Sequence, residues 1–101
     1  MSKLQATAGP HHAEYKIPGG KLLVVDLRVE HGCLHDVQLS GDFFLEPPET
    51  LDAINDALTG LPADGDEVRI AQTLQPVLTA DVMLFGITVE GIAVVIQRAL
   101  A

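Results

Sequence analysis

Alternating apolar and polar residues predict two consecutive strands in the first half of the chain. Leucine or valine occupies every second position from 23 to 29, and a similar alternation runs from 35 to 40. A period of two is typical of half-buried antiparallel strands. The side chains expected to face the core are Leu23, Val25, Leu27 and Val29 from one strand and His35, Val37 and Leu39 from the other.

The apolar positions also predict how the two strands pair. A two-residue turn at His31-Gly32 would set Leu27 opposite Asp36, which mixes the two faces. Setting Leu27 opposite Val37 keeps apolar residues together and places Arg28 across from Asp36 as a favourable charge pair. We therefore expect a longer or bulged loop at this turn, with Gly32 at a positive φ.

From residue 47 onward the spacing changes to that of amphipathic helices. Pro47-Pro48-Glu49 predicts the start of a first helix, which Gly60 ends. Asp64 is the expected cap of a second helix that Pro76 kinks or ends, and Thr88 is the expected cap of a third. The residues expected to face the core are Leu51, Ile54, Leu58, Val68, Ala71, Leu74, Leu78, Ile92, Val95, Ile96 and Ala99. Strands followed by helices predict an α+β fold, a small antiparallel β-sheet with about three helices packed on one face.

A length of 101 residues indicates one domain. Small and polar residues dominate positions 1–13, which we expect to form a flexible lead-in to a domain spanning 14–101. The first strand is expected to begin near Glu14 and to be interrupted at Pro18-Gly19-Gly20. The sequence shows neither the apolar segment of a signal peptide nor one long enough to span a bilayer.

Charge and cysteine content limit the classes of partner and the cellular compartment that we expect. The chain has 14 acidic and 6 basic side chains, a net charge of −8. That charge repels phosphate backbones and anionic lipids, so we expect neither nucleic acid nor a membrane as a partner. Cys33 is the only cysteine, so no intrachain disulfide can form, and we expect a reducing, cytoplasmic location.

The loop Pro18-Gly19-Gly20-Lys21, here called the PGGK turn, has two interpretations. Its glycines could present backbone N–H groups as an anion-binding nest, with Lys21 beside it to contact a phosphate or carboxylate. The alternative is a turn leading into the strand with Lys21 in solvent, since glycine and proline are ordinary turn residues. The spacing of a Walker loop is absent.

The motif Gly41-Asp42-Phe43-Phe44, here called the GDFF motif, ends the second alternating strand. Adjacent residues of an extended backbone point to opposite faces, so both phenylalanines are buried only if both faces are covered. Either they complete the core, or one of them projects with Leu45 toward a partner.

No set of side chains along the chain assembles a nucleophile, a base and an orienting group, so we expect no catalytic residues. The pair His11-His12 beside Glu14 has metal-capable groups, but its spacing suits no zinc arrangement. We therefore expect a solvated pair and no metal site. Cys33 is expected to be unreactive, because Glu30 and Asp36 offset the nearby histidines.

The order of these features resembles the accessory domain of lipoate–protein ligases over most of residues 14–100. The resemblance rests on the hairpin that begins KIPGGKLLVVDL, on the GDFF motif with its following helix, and on Gly86-Ile87-Thr88 before the last helix. The hairpin is particularly similar to the free-standing form, in which the large and small parts of the ligase are separate polypeptides. The resemblance implies a fold similar to that of small sulfur-acceptor and iron–sulfur scaffold proteins.

The resemblance further implies a non-catalytic accessory subunit of a bipartite ligase. In that family the large catalytic subunit holds lipoate, ATP and magnesium. The small subunit is required for activating lipoate to lipoyl-adenylate, and much less for its transfer to lipoyl-acceptor proteins. No cofactor is expected on this chain alone. The residues placed nearest the partner's active site are Lys16, Pro18, Gly19, Gly20 and Lys21, and those assigned to the fold or the interface are Gly41, Asp42, Phe43 and Phe44.

Two other functions stay open. The shared fold would allow Cys33 to act as a persulfide acceptor in sulfur transfer, although a single cysteine excludes a three-cysteine cluster scaffold. The chain could also be an interaction module with no role in lipoylation. Replacing Cys33 by serine separates the sulfur-transfer role from the ligase role.

Overall fold

The computed structural model describes residues 10–101, which form a three-stranded sheet, a two-stranded ladder and three helices. The strands are β1 (Pro10–Lys16), β2 (Leu22–Glu30), β3 (Cys33–Gly41), β4 (Phe44–Glu46) and β5 (Met83–Phe85). The helices are α1 (Thr50–Leu58), α2 (Glu67–Leu74) and α3 (Val89–Leu100). The predicted α+β class is confirmed. No helix in this part of the chain is long and apolar enough to cross a membrane.

The three-stranded sheet is antiparallel in the order β1-β2-β3, and its first strand begins earlier than expected. Pairing with β2 already starts at Pro10, opposite Arg28, whereas the sequence predicts a start near Glu14. Residues 10–13, expected in the lead-in, therefore belong to the sheet. The rest of the expected lead-in lies outside the described residues. The apolar alternation is weak here because the inward positions include His11 and Ala13, which carry little apolar signal.

The β2–β3 hairpin combines a tight turn with a bulge inside the strands. The turn has two residues, His31 and Gly32, both at positive φ (53° and 75°). Gly32 thus confirms its predicted conformation, but the predicted longer loop is wrong. The register shift lies further along, where Asp36 and Val37 both lie across from Leu27 and Asp36 has a φ of 52°. Such an extra residue is a β-bulge.

The bulge changes which side chains of β3 reach the core. Beyond it, Val25 pairs with Leu39, as the apolar pattern requires. Toward the turn the alternation is reversed, so that Leu34 is fully buried and His35 only half-buried. The prediction that His35 lies on the apolar side is therefore wrong, because one extra residue exchanges the two faces of the strand.

Arg28 lies opposite His35 in the backbone register, rather than opposite Asp36 as predicted. Its guanidinium nevertheless reaches two carboxylates. Nη2 lies 3.3 Å from Glu30 Oε2, and Nε lies 3.9 Å from Asp36 Oδ2. These pairs are largely exposed, so each contributes only about 0–1 kcal/mol to stability.

The first and third helices begin where the sequence predicts. The chain enters α1 through Pro47 and Pro48, and Gly60 follows its end at a φ of 94°. Thr88 caps α3, since its Oγ1 accepts a hydrogen bond from the Gly91 N–H at 2.9 Å. All four residues predicted to face the core from α3 are buried: Ile92, Val95, Ile96 and Ala99.

The second helix differs from its prediction in its cap and in its apolar face. Asp66, not Asp64, caps α2, and its Oδ1 accepts a hydrogen bond from a backbone N–H at 3.0 Å. The buried stripe is Ile70 and Leu74. Val68 is 62% exposed, because two residues along a helix turn a side chain by about 200°, away from the face of Ile70.

The core lies between one face of the three-stranded sheet and the helices. Helix α3 packs on β1 and β2, α1 packs on β3, and α2 contacts both helices. The fully buried large side chains are Leu23, Val25, Leu27, Leu34, Ile54, Leu58, Ile70, Leu74, Ile92, Val95 and Ile96. The predicted arrangement of helices on one face is confirmed.

The outer edge of β3 is covered by neighbouring segments of the chain. The Leu34 N–H donates to the Leu61 carbonyl at 2.8 Å, and the Gly60 N–H donates to the Leu34 carbonyl at 2.7 Å. Further along the strand, the Leu39 N–H donates to Asn55 Oδ1 of α1 at 3.1 Å.

Candidate functional site

A two-stranded ladder, which the sequence pattern does not predict, joins the GDFF motif to a segment late in the chain. Strands β4 and β5 pair from Phe44, opposite Phe85, to Glu46, opposite Met83. Three residues are too few to establish an alternation, and the pairing connects distant parts of the sequence. The run of large apolar residues at 83–85 is the signal that was available.

The two faces of this ladder differ in exposure. Leu45 is buried, so the part of the second interpretation in which it projects toward a partner is wrong. On the other face Phe44 is 58%, Met83 56% and Phe85 36% exposed. The two rings stack, with centroids 4.5 Å apart and planes inclined by 14°. We call Phe44, Met83 and Phe85 the aromatic patch.

The phenylalanines of the GDFF motif take different roles. Phe43 is half-buried and packs against the core, whereas Phe44 points into solvent. The two interpretations offered by the sequence are thus divided between the two residues. Gly41 serves the fold: at a φ of 144°, a Cβ there would overlap the carbonyl oxygen of Leu22.

The PGGK turn is closed by its own backbone. The Gly20 N–H donates to the Ile17 carbonyl at 2.8 Å, and the Ile17 N–H donates to the Lys21 carbonyl at 3.1 Å. The Lys21 N–H donates to the Gly86 carbonyl at 3.1 Å. The N–H groups of Gly20 and Lys21 are therefore not presented to an anion, while the Lys21 side chain is exposed.

Gly86 is the point at which the separate motifs meet. Its φ is 83°, and a Cβ placed on it would lie 2.5 Å from Lys21 Cγ and 3.5 Å from Phe43 Cβ. The missing side chain lets the stem of Lys21 lie against the backbone. The sequence singles out Gly86 as part of the start of the last helix, but not as a contact of either motif.

The first turn of α3 and the start of β2 complete the same region. A Cβ on Gly91 would lie 2.6 Å from Cδ1 of Ile17, which is buried beneath the PGGK turn. The Asp42 N–H donates to the Leu22 carbonyl at 3.1 Å, which ties the GDFF motif to the strand after the turn. We call segments 16–22, 41–46 and 83–91 together the motif end.

Two cations at the motif end have no acidic partner in the part of the chain that the structure describes. Lys16 and Lys21 are exposed, and the ion pairs within 4 Å involve only His12 and Arg28. Arg98 is engaged elsewhere, with its guanidinium 4.8 Å above the Tyr15 ring. In a chain of net charge −8, these two ammonium groups are available to bind an anionic group.

The two adjacent histidines near the start of β1 have separate partners. His11 Nδ1 donates to the Ala99 carbonyl at 2.8 Å and is half-buried, so it is not the solvated residue expected. His12 is exposed. Its Nδ1 lies 2.8 Å from Asp26 Oδ1, and its Nε2 lies 3.1 Å from Glu14 Oε2. The Asp26 hydrogen bond, followed by that of Glu14, raises the pKa of His12. Residues 10–101 contain no group of three or more side chains able to hold a metal ion.

Cys33 lies far from the motif end. It is the first residue of β3, whereas Gly41 is the last, eight residues or roughly 26 Å along the strand. It is half-buried, pairs with Glu30 across the hairpin and forms a bridge with Pro62. The structure therefore separates Cys33, the candidate for sulfur transfer, from the residues that the sequence singles out for the ligase role.

Comparison with solved structures identifies the class of the fold. The chain superposes with a TM-score of 0.63 on a chain from Thermoplasma acidophilum, at 21% identity over 93% of this chain and 94% of that one. That structure is described as an archaeal lipoylation system, a bi-partite lipoate protein ligase and its E2 lipoyl domain. At 21% identity, this structural similarity shows that the two chains share a fold.

The sequence itself identifies the family. The model for the bacterial lipoate protein ligase C-terminus matches residues 10–96, and the chain belongs to this family. The resemblance seen in the hairpin and the GDFF motif is thereby confirmed. No curated protein matches the chain.

Proposed function

We propose that this chain is the non-catalytic accessory subunit of a bipartite lipoate–protein ligase. It would act with a separate large subunit in the ATP-dependent activation of lipoate to lipoyl-adenylate, in the cytoplasm. Membership of the lipoate protein ligase C-terminus family supports this proposal, and so does the shared fold with a chain of a bi-partite ligase system. Lipoate, ATP and magnesium belong to the large subunit, and lipoyl-acceptor proteins are indirect partners.

The observation that carries the proposal is the convergence of the motifs at one end of the domain. The PGGK turn, the GDFF motif and the segment around Gly86 are distant in sequence but are joined by direct backbone contacts. Two exposed lysines accompany them, with no acidic partner within residues 10–101. A surface built from three segments, without a nucleophile and base beside it, suits a protein that completes another protein's site.

The proposed mechanism has an electrostatic part and an entropic part. Activation joins a carboxylate to a nucleotide and releases pyrophosphate, so negative charge is concentrated at the reacting groups. The ammonium groups of Lys16 and Lys21 would stabilise that charge from the edge of the large subunit's site. Contact with the rigid motif end would also order a substrate loop before the reaction, which lowers the entropy lost at the chemical step.

A reconstituted assay tests the proposal. The large subunit would be supplied with lipoate and ATP, and pyrophosphate release would be measured with and without this chain. Transfer would be measured separately from preformed lipoyl-adenylate to an acceptor domain. We expect activation to depend on the chain and transfer to change little. Equal pyrophosphate release in both samples would overturn the proposal.

The double variant Lys16→Ala/Lys21→Ala tests the role of the lysines. We expect activation to fall by about tenfold or more, equivalent to about 1.4 kcal/mol in the barrier, while the thermal unfolding curve is retained. Arg69→Ala removes an exposed cation from α2 and, compared with each single lysine variant, serves as the control for the loss of one positive charge. Wild-type activation by the double variant would refute the assignment of Lys16 and Lys21.

The persulfide alternative finds no support in the position of Cys33. The backbone of Cys33 pairs with that of Glu30, so its neighbour in the ladder is a carboxylate and not the cation that activates a thiol. The variant Cys33→Ser should therefore leave activation unchanged in the same assay.

A further inference from the structure

Exposed large apolar side chains are concentrated at the motif end. Within residues 10–101 five such side chains are exposed, and four of them lie in segments that meet there. These four are Leu22 and the three residues of the aromatic patch. The fifth is Val68 in the first turn of α2. Such clustering is the usual mark of a surface that another molecule covers.

The aromatic patch is also ordered before any partner arrives. Phe44 and Phe85 occupy directly opposed positions of an antiparallel ladder, and their rings already stack. Side chains held in one arrangement lose little conformational freedom when they are buried in an interface. Aromatic residues and methionine are also the types enriched at the centres of interfaces.

Acidic side chains border this patch. Glu46 lies opposite Met83 in the ladder, Asp42 precedes Phe44 by two residues, and Asp81 precedes Met83 by two. All three carboxylates are exposed. A complementary surface therefore has an apolar centre with a basic border. A second copy of this chain is a poor match, because it would bring a net charge of −8 toward another net charge of −8.

We propose that the aromatic patch is the surface by which this chain docks on the large ligase subunit, at an apolar socket bordered by basic residues. This inference rests on the proposed function. The patch is continuous with the part of the motif end that carries Lys21. Phe85 directly precedes Gly86, and the Lys21 stem lies against Gly86. Docking through the patch brings Lys21 to the partner. The patch supplies affinity, and the lysines act on activation.

A titration separates these roles. The double variant Phe44→Ser/Phe85→Ser would be titrated into the large subunit from the same organism by isothermal titration calorimetry. We expect the dissociation constant to rise by at least ~30-fold, the effect of removing interface hot spots. Saturating concentrations of the variant should restore activation to near the wild-type level, since the lysines are intact. The variant Met83→Glu leaves both phenylalanine rings in place and adds a carboxylate to the apolar centre of the patch. It should also raise the dissociation constant.

Val68→Ser is the matched control. Val68 is as exposed as Phe44 but lies on α2, outside the ladder that carries the aromatic patch. Gly65, just before α2, accepts a hydrogen bond from Gln97 near the end of α3, roughly 14 Å along that helix from Thr88. We expect the dissociation constant of Val68→Ser to equal that of the wild type.

The possible failures can be told apart. Wild-type affinity in both patch variants would overturn the docking surface, while the dependence of activation on this chain would still stand. A wild-type chain that neither binds the large subunit nor supports activation would overturn both proposals. Light scattering that shows a wild-type dimer and monomeric patch variants, with unchanged binding to the large subunit, would assign the patch to self-association and also overturn the docking proposal.

Discussion

The three-stranded sheet and the two-stranded ladder are both antiparallel, but they use their apolar residues differently. In the sheet, helices cover one face, and Leu23 and Leu34 are completely buried. In the ladder, Leu45 is buried on one side while Phe44 on the other is 58% exposed. Burial of apolar surface stabilises the fold, whereas exposed apolar surface is available for binding. The sheet therefore supports the domain, and the ladder presents a surface.

The largest loss of stability is expected from a substitution in the buried face of the sheet. Leu34→Ala should lower the free energy of unfolding by about 2–5 kcal/mol, because it leaves a cavity in a fully packed site. Phe44→Ala in the ladder should cost only about 0.5–1.5 kcal/mol, mainly the lost ring stacking. Urea unfolding followed by circular dichroism measures both values.

His35→Ala is the control for the bulge. If the alternation continued unbroken through β3, His35 would face the core in place of Leu34. The structure predicts a cost within about 1 kcal/mol for this half-buried residue. A larger loss for His35→Ala than for Leu34→Ala would show that the bulge is placed wrongly.

An intermediate loss of stability is expected from substitutions that test the contact between the ladder and the PGGK turn. Gly60→Ala should cost about 1–2 kcal/mol, since its positive φ is strained for alanine but nothing lies within 4 Å of the added Cβ. Gly86→Ala should cost more, because the added Cβ also meets Lys21 Cγ at 2.5 Å. Thermal and urea unfolding of the two variants measure the difference.

A double-mutant cycle isolates that contact. Lys21→Ala removes Cγ but keeps Cβ, which lies 3.3 Å from the added atom, so Gly86→Ala made in that background should lose most of its additional cost and approach the cost of Gly60→Ala. Equal costs for Gly86→Ala in both backgrounds would mean that the glycine does not position the lysine.

The smallest expected effect depends on pH and concerns the pairing of β1 with β2. The hydrogen bond to Asp26 raises the pKa of His12 above its ordinary value of about 6.5. A pKa that is higher in the folded state stabilises the protein while the group is protonated. The contribution is therefore complete below about pH 6 and is lost as the pH rises through the raised pKa.

This pH dependence appears as a difference between melting temperatures. The difference between wild type and His12→Gln should be larger at about pH 5.5 than at about pH 8.5. Asp26→Asn removes the strongest partner and should reduce the dependence. A difference that is the same at both pH values would contradict the assignment.

Long repeating patterns were predictable from the sequence, and single-residue events were not. The alternation of β2 and the apolar stripe of α3 extend over nine and twelve residues, so several positions agree on one face. The bulge depends on the backbone of Asp36, whose positive φ no pattern of apolar residues reveals. The same residue explains why the prediction for His35 is wrong and why Leu34 is buried in its place.

The candidate site shows the same limit. The PGGK turn and the GDFF motif could be recognised, because their proline, glycines and aspartate are unusual in strands. Their meeting at Gly86 could not, since it depends on a ladder between segments distant in sequence. Phe85 likewise has no local signal that distinguishes an exposed phenylalanine from a buried one.

The hydrogen bonds along the outer edge of β3 affect how the domain behaves at high concentration. An uncovered strand edge recruits strands from other chains and begins aggregation. Here the backbone groups of Leu34 are bonded to the segment after α1, and the Leu39 N–H is bonded to the side chain of Asn55. Another chain cannot extend the sheet at these positions. The domain can therefore expose a cluster of aromatic side chains for recognition without also offering that strand edge as a template for fibres.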